Sequence, residues 1–250
     1  QIKSVYGKCG DYPVDYKRFA ADDDSNGPLF FLRALEESMA KGREMTADDV
    51  GEALLNYAPF EHGFFWWGGY GCSTEHTAYL NLRHGIPAPR SGSRRQNGST
   101  MAEQIGGQIF IDTWGLVSPC RPHLAAELGQ TAASVSHDGN GLWGARFFCA
   151  AIAKAFETAE ITEIVEAGLA EIPEECTYRD VMEAVKAFHR ESPGDWRACR
   201  EMLERDWGYD KYQGVCHIIP NAGVCAMALL YGGGDFAQTV EIATMAGWDT

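Results

Sequence analysis

Three aspartates, Asp22, Asp23 and Asp24, stand side by side in FAADDDSNGPLFFLRALEE, residues 19–37, just ahead of an apolar run. One carboxylate is enough to cap a helix. Three adjacent like charges repel, and the repulsion grows quickly with partial burial. A hard divalent cation changes that balance, because magnesium prefers carboxylate oxygens and keeps several of its waters. The cluster therefore reads either as a cation site or, more plainly, as an acidic cap on a surface turn. A turn leading into a helix can aim two or three of these side chains at one point. A carboxylate from elsewhere would complete the site, and Gly247-Trp248-Asp249-Thr250, an acidic turn directly after a helix, offers one. The candidate metal ligands are Asp22, Asp23, Asp24 and Asp249.

A second constellation is Ser136-His137-Asp138-Gly139-Asn140-Gly141, ahead of a strongly apolar helix. Gly139 and Gly141 would let the backbone approach a ligand closely. His137 reads either as a cleft residue or as a satisfied polar group, and Asn140 either as a ligand contact or as a cap. In Ile109-Phe110-Ile111-Asp112-Thr113-Trp114-Gly115, Trp114 could stack on a base or sugar or belong to the core. His217 reads as structural. Trp66 and Trp67 pack on the fold or on a partner, and the sequence does not separate the two.

These residues need elements to hold them, and helical periodicity dominates the chain. Helices are expected over Pro28–Met39 with Ser25 or Asn26 as cap, Thr46–Tyr57, Ser73–Arg83 and Pro122–Val135. The apolar Leu142–Thr158 should lie centrally. Ile161–Ala170, Tyr178–Arg190 and Asp195–Arg205 are amphipathic. An apolar helix, from Val215 or Ala222 to Tyr231, ends at Gly232-Gly233-Gly234. Asp235 then caps a last helix to Ala246, with Gln238 completing a capping box. Residues 59–72 read as a structured aromatic, glycine-rich loop. Residues 85–100 read as a mobile loop, with Arg90, Arg94 and Arg95 either gating an anionic ligand or merely solvated. Only Gln108–Asp112 resembles a strand, and it suits a buried helical turn as well. The expected fold class is all-α.

The formal net charge of −14 argues against non-specific binding to nucleic acid or to an anionic membrane. No apolar run reaches the roughly 18 residues that span a bilayer. The eight cysteines form no CxxC spacing, which suits a reducing, cytoplasmic setting. The chain starts at Gln1 and stops abruptly at Thr250, and both ends are expected to be cut. Nothing in the sequence sets the oligomeric state.

With these motifs in order, the sequence resembles the ADP-ribosylglycohydrolase family, the dinitrogenase-reductase-activating-glycohydrolase-like hydrolases. Asp22-Asp23-Asp24-Ser25 is similar to its early [ST]-D-D-[ST] motif, with Asp22 in place of a hydroxyl residue. Gly247-Trp248-Asp249-Thr250 is similar to the start of its late G-[GW]-D-T-D motif. Ser136–Gly141, Pro220-Asn221-Ala222 and Gly234-Asp235-Phe236 fall where a subgroup has comparable segments. The resemblance covers about residues 19–250.

It implies a compact orthogonal multi-helix bundle, a single domain over 1–250 that is incomplete at both termini, and an all-α hydrolase of ribosyl bonds holding two magnesium ions, manganese being the alternative. Its substrate would be a small-molecule or protein-linked riboside, ADP-ribosyl or nucleoside-like. Asp23 and Asp24 would be catalytic as well as metal-binding, and Ser25 would hydrogen-bond behind them. His137, Gly139, Asn140, Asp112, Trp114 and Gly115 would contact substrate. The run at 109–115 has no arginine where many members carry Met-Arg, so substrate contacts there differ. A non-catalytic member of the same fold, and an unrelated helical domain, are the alternatives.

Overall fold

The computed structural model describes residues 23–62, 65–213 and 216–249. The first helix, α1 (Asp23–Ala40), begins earlier than its pattern suggests. Pro28 was expected in the first turn, yet it lies inside the helix. Its missing N–H removes only the bond to the carbonyl of Asp24, four residues back. Asp23 and Asp24 thus occupy the first helical turn, where the macrodipole favours negative charge. Phe30, Phe31, Ala34 and Ser38 form the buried face.

Helix α2 (Ala47–Tyr57) opens with the capping box of Thr46 and Asp49. The Asp49 carboxylate also accepts from Arg43 at 2.5 and 2.6 Å and from Lys41 at 3.0 Å. The Arg43 guanidinium holds it far below the usual carboxylate range. Helix α3 (Thr74–Arg83) is capped by Ser73, whose Oγ accepts from the His76 amide at 3.1 Å.

Residues 85–100 are not a mobile loop. They form a 3-10 turn at Arg90–Gly92 and the short helices α4 (Arg94–Asn97) and α5 (Ser99–Ala102). The segment is anchored by Ser91, fully buried, which donates to the Val135 carbonyl at 2.7 Å. Gly92 packs so closely that a Cβ there would lie 2.5 Å from the Ser136 backbone. The strand-like run resolves as helix, in α6 (Gly106–Ile109) and α7 (Asp112–Leu116).

Long helices follow: α8 (Pro122–Ala133), α9 (Asn140–Ala155), α10 (Ile161–Ala170), α11 (Thr177–Glu191), α12 (Trp196–Trp207), α13 (Ile218–Gly232) and α14 (Phe236–Ala246). Gly233, left-handed with φ 57°, ends α13. Asp235 caps α14 through the Gln238 amide at 2.7 Å. The Gln238 side chain donates instead to the Tyr231 carbonyl at 3.1 Å.

No strand occurs among the described residues, and Gln104 pairs with His217 in an isolated antiparallel bridge. The fold class is all-α, the helical content expected of the resemblance. Helix α9 is central. Its Phe147 enters a core with Leu169, Tyr178 and Ile218, while Ala145, Cys149 and Ala153 enter another with Phe31, Trp114 and Ala125. Among the described residues no helix is long and apolar enough to cross a membrane.

Short α6 lies directly on the head of α9. A Cβ on Gly107 would come 2.4 Å from the Gly141 carbonyl oxygen, so only glycine permits the approach. Gly107→Ala is expected to destabilise the protein by about 1–3 kcal/mol, since backbone rather than a movable side chain must give way. An unchanged denaturant midpoint would contradict this packing.

Candidate active site

A cleft of about 390 Å³ lies among the start of α1, the head of α3, the short helices α5 and α6, and the tail after α14. Asp23 and Asp24 line it from the start of the chain, Glu75 from α3 and Asp249 from the tail. Trp66, Thr74, Gln104, Gly106, Phe110 and Cys216 are also on its walls. The described lining residues carry four carboxylates and no basic side chain.

Glu75 is buried, with 7% of its surface exposed. Burial pushes its carboxyl up, and the Asp23 charge adds to the effect. Thr74 Oγ1 donates to one of its oxygens, and Ser73 Oγ lies 2.9 Å from the other. The Ser73 hydroxyl has a single proton, and the Trp66 carbonyl, 2.5 Å away, is its other neighbouring acceptor. Both hydroxyls are placed to donate to a Glu75 carboxylate, and they oppose the rise that burial causes without cancelling it. The sequence reading took Ser73-Thr74-Glu75 only as a helix start. Its one signal was the adjacent aromatic loop, since burial of a first-turn glutamate is a tertiary property.

Gly106 forms part of the floor. A Cβ there would meet Phe110 Cε2 at 2.8 Å and both Glu75 Oε1 and His137 Cε1 at 3.0 Å. Helix α1 is set against the same wall, because Gly27 lets Phe110 approach to 3.0 Å of its Cβ position. Thr113 Oγ1 ties α1 from behind, donating to the Pro28 carbonyl at 2.8 Å.

The tail is positioned by a buried amide. The Asn221 side chain, fully enclosed in α13, accepts from the Asp249 amide at 3.2 Å and from the Tyr209 hydroxyl at 2.6 Å. Its Nδ2 donates to the His217 carbonyl at 3.1 Å. Trp248, at φ 68°, lies against Tyr209 and under the Arg200 guanidinium, 3.8 Å from the ring centroid. Beside Asp249, burial pushes the Cys216 thiol up to about 11.

The other sequence candidates lie elsewhere. Asp22 falls outside the described residues. His137 is buried, with Nδ1 2.7 Å from Ser136 Oγ and no protein partner at Nε2. It borders a separate groove of about 870 Å³ with Arg90, Arg95 and Asp138. Burial lowers its pKa to about 3. Asn140 donates to Glu103 through its amide at 3.3 Å and its side chain at 2.9 Å. Gly139, at φ 59°, sits so near Glu103 Oε1 that a Cβ would come within 2.3 Å. Arg94 joins this network through Glu103 at 3.4 Å. Asp112 is exposed at the head of α7. Trp114 is fully buried, with its ring 5.7 Å from that of Phe31, and Gly115 packs against Ile152. None of these six candidates lines the cleft.

Among the described residues no three His, Cys, Asp or Glu side chains stand close enough to hold a metal ion by themselves. The carboxylates converging on the cleft are nonetheless hard oxygen donors, which fit a cation that takes one or two carboxylates and keeps its waters, and the Cys72 and Cys216 thiols line the cleft beside them.

A family model described as ADP-ribosylglycohydrolase matches residues 2–250. No curated protein and no solved structure matches the chain.

Asn221→Ala should release the tail and destabilise the protein by about 1–3 kcal/mol, the cost of stranding buried polar partners. Faster hydrogen exchange at the Asp249 amide would report the release, and unchanged exchange would contradict it. His137 supplies a pH effect of definite sign. Its folded pKa is depressed, so its contribution is present above the ordinary value of 6.5 and lost as pH falls toward 3. Melting temperatures at pH 7 and pH 5 should therefore differ more in the wild type than in His137→Leu.

Proposed function

Because the chain belongs to the ADP-ribosylglycohydrolase family, whose general chemistry is glycoside hydrolysis, we propose that it is a metal-dependent hydrolase of an N- or O-glycosidic bond to ribose. The observation that carries this reading is the convergence of Asp23 and Asp24 with Asp249 on one cleft, beside the buried acid Glu75. Asp23, Asp24 and Asp249, with Asp22 ahead of them, would hold two magnesium or manganese ions. Such cations, when bound, supply Lewis-acid polarisation of the ribose hydroxyls and of a water.

The chain's own residues account for the proton movements. Glu75 holds a proton at its buried carboxyl and gives it to the departing atom. The bond from C1 to that atom breaks through an oxocarbenium-like state, and the departing atom keeps the electron pair. A water oxygen bonds to C1, and its proton passes to the carboxylate of Asp23 or Asp24. Phe110 and Ile109 keep bulk water from one wall. The free thiols suit a reducing, cytoplasmic setting. The acidic walls disfavour nucleic acid as a partner.

A second reading is a non-catalytic member of the fold that binds a riboside without cleaving it. The acid at Asp22 in place of a hydroxyl residue, and the run at 109–115 without an arginine, favour it.

Asp23→Asn and Asp249→Asn should each abolish turnover and weaken magnesium binding measured calorimetrically. Full activity in either would end the hydrolase assignment through these groups, and riboside binding without turnover in the metal-loaded wild type would select the second reading. Glu75→Gln should keep metal binding but slow cleavage by about 10²–10⁴-fold, the usual worth of a positioned proton donor. A rate within a factor of two of wild type would remove Glu75 from the mechanism.

A further inference from the structure

The cleft carries a feature that hydrolysis of a ribosyl bond does not require. Trp66 lines it, yet more than half of its surface, 56%, is exposed. An indole left in water at a cavity mouth is a large apolar area without a partner. It is held in place rather than loose. Its carbonyl accepts from Ser73 Oγ at 2.5 Å. Its ring lies over Gly68, where a Cβ would come 2.5 Å from Cζ2, so a larger residue there would displace it. Ser73 also lies 2.9 Å from Glu75, which links the platform to the proposed proton donor.

The charge around this platform limits what can occupy it. The described lining bears Asp23, Asp24, Glu75 and Asp249, with no Lys, Arg or His. A pyrophosphate would find no basic side chain on these walls. A flat neutral ring would stack on the indole, and a cationic ring would gain from both the indole face and the carboxylates.

We infer that Trp66 is a stacking platform for the leaving group, and that the substrates are ribosides of a flat, neutral or cationic heteroaromatic ring rather than pyrophosphate-bearing ADP-ribosyl conjugates. This rests on the hydrolase reading and narrows its substrate class. The balance of the reaction differs between the two ring types. A cationic ring leaves with the C1–N electron pair as a neutral molecule and needs no proton. A neutral purine takes one proton from Glu75. In both, the water oxygen bonds to C1.

The test compares ribose, inosine and ADP-ribose as ligands of the magnesium-loaded protein, in wild type, Trp66→Ala and Trp66→Phe. Binding is read calorimetrically and cleavage by ribose release. Inosine should bind wild type on the order of tenfold more tightly than ribose, the scale of one stacked base. ADP-ribose should bind no more tightly than inosine. The inosine-to-ribose ratio should fall toward one in Trp66→Ala and be largely kept in Trp66→Phe. Tighter binding of ADP-ribose than of inosine, or an unchanged ratio in Trp66→Ala, would overturn the inference. Cleavage of ribosides with a ratio of one in wild type would overturn it while leaving the hydrolase reading intact. A large Trp66-dependent ratio without cleavage of any glycoside would remove the hydrolase reading and, with it, the leaving-group role of Trp66, leaving the indole as a base-binding surface alone.

Discussion

The geometry around the cleft depends on one contact between backbones, the approach of Gly107 in α6 to Gly141 at the head of α9. A side chain at 107 would hold the two helices apart. Without one, α6 rests on the central helix and brings Gly106 beneath Glu75 and Phe110 against Gly27. The segments flanking α6 and α13 are then stitched together. The Ile105 amide donates to the Cys216 carbonyl at 2.7 Å, and the Ile218 amide to the Glu103 carbonyl at 2.9 Å. This fixes α13, whose Asn221 reaches the tail and orients Asp249. Residues from the two extremes of the chain thus meet through a series of close contacts, most of them permitted by glycine or a small polar side chain.

The electrostatics follow from that convergence. Four carboxylates share a small cleft, and burial pushes the carboxyl of one of them, Glu75, up. Asp24 and Asp249 remain exposed, and Asp23 is partly so. Similar groups are therefore set apart by solvent access, one enclosed and three more open to water. The proposed hydrolysis draws on that difference, as glycoside cleavage does elsewhere.

The long helices were legible because their apolar spacing survives any environment. The capping of α2 by Thr46 and of α14 by Asp235 could also be read directly, since a cap is local chemistry. The start of α1 was not, because Pro28 normally marks a first turn, and here tertiary packing carries the helix past it. Residues 85–100 have the Gly, Pro and Ser content of a loop, and only the buried Ser91 and Gly92 reveal why they are ordered. In the cleft, the carboxylates at both ends could be named because clustered like charges demand an explanation. Glu75 could not, since one glutamate in a helix's first turn is ordinary until burial makes it otherwise. Trp114 and His137 show the converse. Their types suit a ligand, but a side chain's type does not say which way it faces.

The wide separation of these walls along the chain also sets the order in which they exist. A ribosome adding roughly 5–20 residues per second delivers Asp23 and Asp24 many seconds before Asp249 emerges. During that interval α13 and its Asn221 anchor are themselves absent for most of the time. The cleft therefore closes only after α13 and Asp249 have been made, and until then a nascent chain has acidic residues but no enclosure in which to use them.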